Sequence, residues 1–324
     1  MLLFPILSAI ILFFGSWFAY RTAFYSPIHL RPSPDTPLQG AQYESVSEHI
    51  SRIIGIMSQY SCEEVWIESY DGTKLFGRYY HFRDGAPIQL LFHGYRSHAF
   101  RDCSGGHSLA RKIGYNVFVP DQRAQGRSGG KSITFGINER KDCLCWIQYL
   151  NDRFGQDVPI VLSGLSMGAA TVLMASGLDL PENVACVIAD SPYSAPIAII
   201  EKVAQDLHYP VFICRPFIHL GARLFGGFRL GSCTAKEAVR HSRVPILLIH
   251  GEDDRMVPCS MSLEIAANCA SKVQVVTFPG AGHGLCYITD PIRYERVINE
   301  FLNSVPILNN TIPDEFIGKL DGNS

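Results

Sequence analysis

Six short apolar runs, at 88–92, 116–119, 159–162, 184–189, 245–249 and 273–278, recur along the middle of the chain and are rich in Val, Ile and Leu. A strand with one wet face alternates apolar and polar residues. A run without that alternation is a strand covered on both faces. Between the runs, 104–113, 139–154, 167–177, 261–270 and 290–304 carry helical patterns. Strand and helix in alternation build a mostly parallel sheet with helices on both faces, because each parallel return needs a crossover. Ahead of them, 63–69 and 74–82 alternate around Asp71-Gly72, a hairpin signal. The expected fold class is α/β.

One interval breaks the rhythm. Between Asp190 and Pro245 no strand pattern occurs, and Phe212, Phe217, Phe225 and Phe228 fall there. It reads as a small helical cap, about 191–243, inserted over the sheet, with some of the phenylalanines lining an apolar pocket. The 324 residues suffice for one large α/β domain, expected over 43–324. With 47% apolar and 18% charged residues, a disordered chain is excluded. The formal net charge is −2 and Lys and Arg form no run, so nothing marks a nucleic-acid partner. Ten cysteines occur without a Cys-x-x-Cys pair and mostly among apolar neighbours, which reads as free core thiols of a reducing compartment.

Residues 2–20 carry no charge, a length that meets the need of a bilayer-crossing helix. A cleaved signal peptide calls for a basic start and a small-x-small site, and neither is present. Trp17 and Tyr20 suit an interfacial aromatic belt. Residues 1–21 are therefore expected to be a single-pass transmembrane anchor. Arg21 and Arg31 follow it, which by the positive-inside rule puts the catalytic domain in the cytoplasm. Residues 22–42, with Pro27, Pro32, Pro34 and Pro37, read as an extended linker.

The chemistry falls at strand ends. Gly164-Leu165-Ser166-Met167-Gly168 follows the strand at 159–162 and opens the helix at 167–177, the strand–turn–helix context of a nucleophile elbow. A serine hydroxyl needs a base, and the base needs an orienting acid. The strand at 245–249 runs into His250-Gly251-Glu252-Asp253-Asp254-Arg255-Met256-Val257-Pro258. The strand at 273–278 runs into Pro279-Gly280-Ala281-Gly282-His283-Gly284. His283 is the expected general base and Asp254 the expected acid, chosen over the adjacent Asp253 by the spacing His-Gly-x-x-Asp-x-x-Val-Pro. Asp190, at an earlier strand end, reads as a structural group. An oxyanion hole needs two backbone N–H donors: Met167, just after the serine, and Tyr95, on the loop His93-Gly94-Tyr95-Arg96 after the strand at 88–92. His93 reads as a brace for that loop.

These residues resemble the α/β-hydrolase superfamily across about 63–304. The pieces are His93-Gly94-Tyr95, the turn Asp121-Gln122-Arg123-Ala124-Gln125-Gly126-Arg127-Ser128, the Ser166 elbow, the Asp254 motif and His283. Ala124 stands where the family's turn commonly has glycine. Within the superfamily the chain looks like membrane-anchored bacterial hydrolases with a small cap, and it is similar to membrane-anchored eukaryotic members that act on acyl thioesters. The resemblance implies the α/β-hydrolase fold and a serine hydrolase needing no cofactor and no metal. It leaves the substrate open, because the superfamily holds esterases, lipases, thioesterases, amidases and peptidases.

The expected function is cleavage of carboxylic esters through an acyl-enzyme, acting on a small-molecule, lipid-like acyl substrate at a membrane. The same triad serves an amidase, peptidase, thioesterase or acyltransferase. A non-catalytic membrane-tethered binding protein on a hydrolase scaffold is the alternative from another class.

Overall fold

The computed structural model describes residues 3–33, 41–44, 46–309 and 311. Its strands are β1 (Glu63–Glu68), β2 (Lys74–Tyr80), β3 (Ile88–Phe92), β4 (Asn116–Asp121), β5 (Ile160–Leu165), β6 (Val184–Asp190), β7 (Ile246–Gly251) and β8 (Val273–Phe278). They form one eight-stranded sheet in the order β1-β2-β4-β3-β5-β6-β7-β8. The hairpin β1–β2 joins β4 antiparallel, and every later pairing is parallel. β3, β4, β6 and β7 are buried along their whole length, as their unbroken apolar runs require.

The helices are α1 (Leu3–Ala23), α2 (Ala41–Glu44), α3 (Ser47–Ser58), α4 (Ala99–Lys112), α5 (Glu139–Phe154), α6 (Met167–Ser176), α7 (Pro196–Asp206), α8 (Val211–Leu224), α9 (Ala235–Ala238), α10 (Ser260–Ala266), α11 (Cys286–Thr289) and α12 (Pro291–Asn303). Two buried clusters cover the two faces of the sheet. One gathers Trp146, Leu150, Leu173 and Met174 over Phe118 and Leu162. The other gathers Leu109, Phe301 and Leu302 over Val119 and Leu247. All ten cysteines are free thiols. The turn after β4 is braced by Arg123, whose guanidinium donates to Asp142 at 2.6 Å and to Asp71 at 2.8 Å. Within it Ala124 holds φ +59, a left-handed conformation that costs a residue with a Cβ roughly 1–2 kcal/mol.

The amino-terminal segment departs from the reading as an extended linker. Phe24 and Ser26 are buried. The Ser26 N–H donates to Lys131 O at 2.8 Å, and the Ile133 N–H to Phe24 O at 2.8 Å. The Arg31 guanidinium then donates to the backbone carbonyls of Ser26, Gln125, Gly126, Ser128 and Gly130. Residues 24–33 are thereby laid along the turn at 124–133. Residues 34–40, the rest of the proline-rich stretch, lie outside the described residues.

The phenylalanines of the 190–245 interval also do something other than expected. Three of them meet the amino-terminal segment: Phe225 packs on Phe13 and Tyr20 of α1 with ring centroids 5.4 and 5.8 Å apart, and Phe228 on Phe24 just beyond it at 5.3 Å. Phe217 lies against Gly15, and Phe212 is exposed. The aromatic residues serve a partner that the interval's own sequence does not reveal.

One buried base stands out. His107 of α4 is enclosed by the rings of Tyr60, Tyr80 and Phe82, with centroids 5.5, 4.7 and 5.4 Å away. Neither ring nitrogen has a hydrogen-bond partner among the described residues. Burial, helped by the Arg111 charge, pushes its pKa from 6.5 down to about 4. The unfolded chain therefore binds a proton at this ring that the folded chain refuses. Stability from this residue is intact above pH 6.5 and is lost as the pH falls toward 4. In urea titrations, lowering the pH from 7 to 5 should cost the wild type about 2 kcal/mol more than His107→Phe. Equal losses in the two proteins would refute this account of His107.

Candidate active site

The carboxyl-terminal ends of the parallel strands lie side by side, with Phe92 paired to Gly164, Leu165 to Asp190 and Gly251 to Phe278. Each residue singled out by sequence follows one of these ends. Ser166 is the link between β5 and α6, at φ +55 and ψ −114. That conformation costs a serine on the order of 1–3 kcal/mol and persists only where the surroundings impose it. Here the imposition is steric. A Cβ on Gly164 would stand 2.3 Å from the carbonyl carbon of Gly168, and a Cβ on Gly168 would stand 2.1 Å from Phe92 O. The tight crossing lifts the Ser166 side chain above the strand ends, and its N–H donates to Asp190 O at 2.8 Å.

His283 reaches Ser166 from the loop after β8. Its Nε2 is 2.9 Å from Ser166 Oγ, and its Nδ1 is 2.7 Å from Asp254 Oδ2. A carboxylate only accepts, so the hydrogen-bond network assigns the proton to Nδ1 and leaves Nε2 to accept from the serine hydroxyl. Asp254 is itself fixed, since its Oδ1 accepts the N–H of Met256 at 2.9 Å and of Val257 at 2.8 Å. Burial alone would push its carboxyl pKa up. The imidazoles of His250 and His283 and the Val257 N–H outweigh that and hold it well below the usual carboxylate range. His250 Nε2 is 3.3 Å from Asp254 Oδ2 and nearer, at 2.8 Å, to Val257 O. Asp253 is exposed and takes no part in this chain of contacts.

The loop after β3 closes the other side. A Cβ on Gly94 would be 3.5 Å from Ser166 Cβ, so the Gly94-Tyr95 backbone runs directly over the serine. Met167 is the first residue of α6, where helix N–H groups have no partner of their own in the helix. The Tyr95 side chain points away, stacked on Phe135 with its hydroxyl donating to Ala23 O at 2.8 Å. His93 is wholly buried. Its Nδ1 lies 2.9 Å from Gly94 O, and its Nε2 accepts the Gln122 N–H at 3.0 Å. Burial pushes its pKa down, keeping it neutral.

Three supports were not singled out from sequence. Asp102 of α4 accepts the Gly94 N–H at 2.7 Å and sets the loop. Tyr43 donates its hydroxyl to His283 O at 3.3 Å. Ser191 Oγ accepts the Gly284 N–H at 3.4 Å and donates to Asp190 at 2.8 Å. None belongs to a recognisable motif, since each acts on the site through a main-chain atom. Asp190, whose carboxyl burial pushes upward, also accepts from Tyr294 at 3.1 Å.

Ser166 and His283 open into a cavity of about 600 Å³. Leu91, Leu109, Ile188, Ile288 and Ile298 line it from the body of the domain, and Leu30, Pro32, Tyr43, Ile50 and Ile53 from the amino-terminal segment. Phe212, Phe217, Phe225 and Phe228 are not among its described lining residues, which corrects the expectation of a pocket walled by the 191–243 interval. A hydroxyl bonded to an imidazole, with backbone N–H groups close by and apolar walls beyond, is equipped for acyl transfer.

Comparison with known proteins agrees with the fold. The chain is 24% identical to the Bacillus subtilis (strain 168) protein YqkD over 217 residues, which are 67% of this chain and 71% of that one. It is 26% identical over 242 residues to a Danio rerio protein named lysophosphatidylserine lipase ABHD12, covering 69% of this chain and 60% of that protein. Among solved structures, the Pyrococcus furiosus esterase Pf2001 superposes with a TM-score of 0.64 at 22% identity, over 83% of this chain and 97% of that one. The family model described as the alpha/beta hydrolase family matches residues 89–297. With that match spanning more than half of its length, the chain belongs to the alpha/beta hydrolase family.

Proposed function

We propose that the protein is a membrane-associated serine hydrolase that cleaves carboxylic esters of lipid-like acids through an acyl-enzyme. The observation that carries this reading is the unbroken path Ser166 Oγ–His283 Nε2 and His283 Nδ1–Asp254 Oδ2, at 2.9 and 2.7 Å, opening into an apolar-walled cavity. Ser166 Oγ attacks the acyl carbonyl carbon while its proton passes to His283 Nε2. The negative charge on the carbonyl oxygen falls to the N–H groups of Tyr95 and Met167, each such donor contributing roughly 3 kcal/mol in the transition state. Collapse expels the alcohol, which takes the proton from His283. Water then gives a proton to His283 and attacks the acyl-enzyme, releasing the acid and restoring Ser166. The name of the zebrafish relative, a lysophosphatidylserine lipase, supports an ester of a long-chain acid as substrate. The apolar helix α1, exposed over most of its surface, supports membrane association.

The full chain in mild detergent, offered p-nitrophenyl esters from acetate to palmitate, should turn over medium or long esters, and Ser166→Ala should lose at least about 10³-fold of that rate. A fluorophosphonate should label the wild type and not the variant. If neither protein cleaves any ester but the wild type is labelled, amide and thioester substrates take precedence. If labelling also fails, the hydrolase reading falls.

The choice of acid has its own test. Asp254→Asn should lower kcat by about 10⁴-fold, because the imidazole loses its correct tautomer. Asp253→Asn should change it less than about twofold, as befits an exposed side chain. The reverse order would move the acid to Asp253.

A further inference from the structure

Helices α1 and α8 run side by side in the same direction. Gly15 meets Phe217, Ser16 meets Gly221, and Tyr20 meets both Gly221 and Phe225. Beyond the helices Phe24 meets Phe228, so both chains advance together. Because Gly15 lies against Phe217 and Tyr20 against Gly221 and Phe225, at about 1.5 Å per residue Arg215, His219 and Arg223 of α8 lie alongside the middle and later part of α1. Arg215, His219 and Arg223 are all exposed. Spaced four apart, they form one stripe on α8. Ile218, Gly221 and Ala222 form its buried face. Arg215 is ion-paired with Glu201 of α7.

That register conflicts with a bilayer-crossing α1. Crossing takes about 20 apolar residues, so the hydrocarbon would have to cover α1 from end to end. The adjacent α8 would go in with it, carrying two arginines, a histidine and the ion-paired Glu201 to the depth of α1's middle, where such groups are strongly disfavoured. Yet α1 cannot be left in water. On the side turned away from Ser16 and Tyr20 it presents Ile6, Leu7, Ile10, Phe14 and Trp17, all at least 45% exposed. Phe4, Ile11, Phe13 and Phe18 are exposed as well, so this apolar surface wraps about half of the helix along nearly its whole length. The two helices therefore make a layer that is apolar beneath α1, while above α8 Arg215, His219 and Arg223 stand beside exposed Phe212, Ile213 and Leu224.

We propose that α1 lies along the membrane surface, sunk into one leaflet by the face of Ile6, Leu7, Ile10, Phe14 and Trp17, with α8 stacked on its other side. This rests on the membrane association proposed above and replaces a single-pass anchor with a monotopic one. A helix in this position buries its apolar face at the boundary between headgroups and acyl chains. Arg215, His219 and Arg223 then stay in water or among headgroups, and the amino terminus and the hydrolase domain share one side of the membrane.

The test uses the full chain with one epitope ahead of Met1 and another after Ser324, reconstituted into sealed phosphatidylcholine–phosphatidylglycerol vesicles and treated with external protease. The expected result is that both epitopes are lost, or both kept, in the same molecules. Molecules that lose one epitope and keep the other would overturn the proposal in favour of a crossing helix. In parallel, Ile10→Glu combined with Phe14→Glu should cut co-flotation with vesicles at least tenfold while leaving hydrolysis of a soluble ester unchanged. Unchanged co-flotation of that variant would overturn the use of this face. A wild-type chain that fails to float at all would remove the membrane reading itself. If it instead sediments as a dimer, the face belongs to a second copy and the proposal is overturned.

Discussion

Three stretches of backbone meet where β3, β5 and α6 converge, at a distance that admits no side chain. Gly164 lies against Gly168, and Gly168 against Phe92 O, so closely that a Cβ at either position would overlap backbone atoms. Everything at the site follows from that crossing. The helix cannot begin so near the strand unless the residue between them turns to positive φ, and Ser166 is that residue. Its strained turn raises the hydroxyl to the height at which the loops after β7 and β8 pass over the sheet. The strain is tolerated because it is spread through a core that cannot relax one element without moving three.

The same economy explains which features are legible in a one-dimensional chain. The central strands announce themselves because burial on both faces leaves no polar alternation, and the elbow announces itself because its glycines stand two residues either side of the serine they position. Asp254 and His283 are legible because each sits in the loop that follows a strand, β7 or β8. Asp102, Tyr43 and Ser191 are not. Each works through a bond to a main-chain atom, and main-chain atoms carry no residue identity. Arg31 is the extreme case, since its guanidinium is satisfied by five carbonyl oxygens. To composition alone, a proline-rich stretch with one arginine is a linker.

The 190–245 interval teaches the complementary point. Phe217, Phe225 and Phe228 are apolar surface in need of a partner, but the choice between a pocket beneath and a helix beside cannot be made from within the segment. The partner lies some two hundred residues earlier, in the helix bearing Phe13, Gly15 and Tyr20. The close fit there depends on small residues, Gly15 and Ser16 on one helix and Gly221 and Ala222 on the other, which let two backbones approach. An aromatic residue advertises what it needs, whereas a glycine or serine that accommodates it does not.

The docking of residues 24–33 changes what removing the amino terminus would mean. Cutting such a chain just before its hydrolase core, to free it from detergent, treats the first forty residues as a tether. Leu30 and Pro32 are wall, however, and Arg31 fastens that wall to the turn after β4. A trimmed form would be an enzyme with one side of its cavity open to water and several turn carbonyls stripped of their donor. Its preference among substrates would then report on the breach as much as on the native pocket.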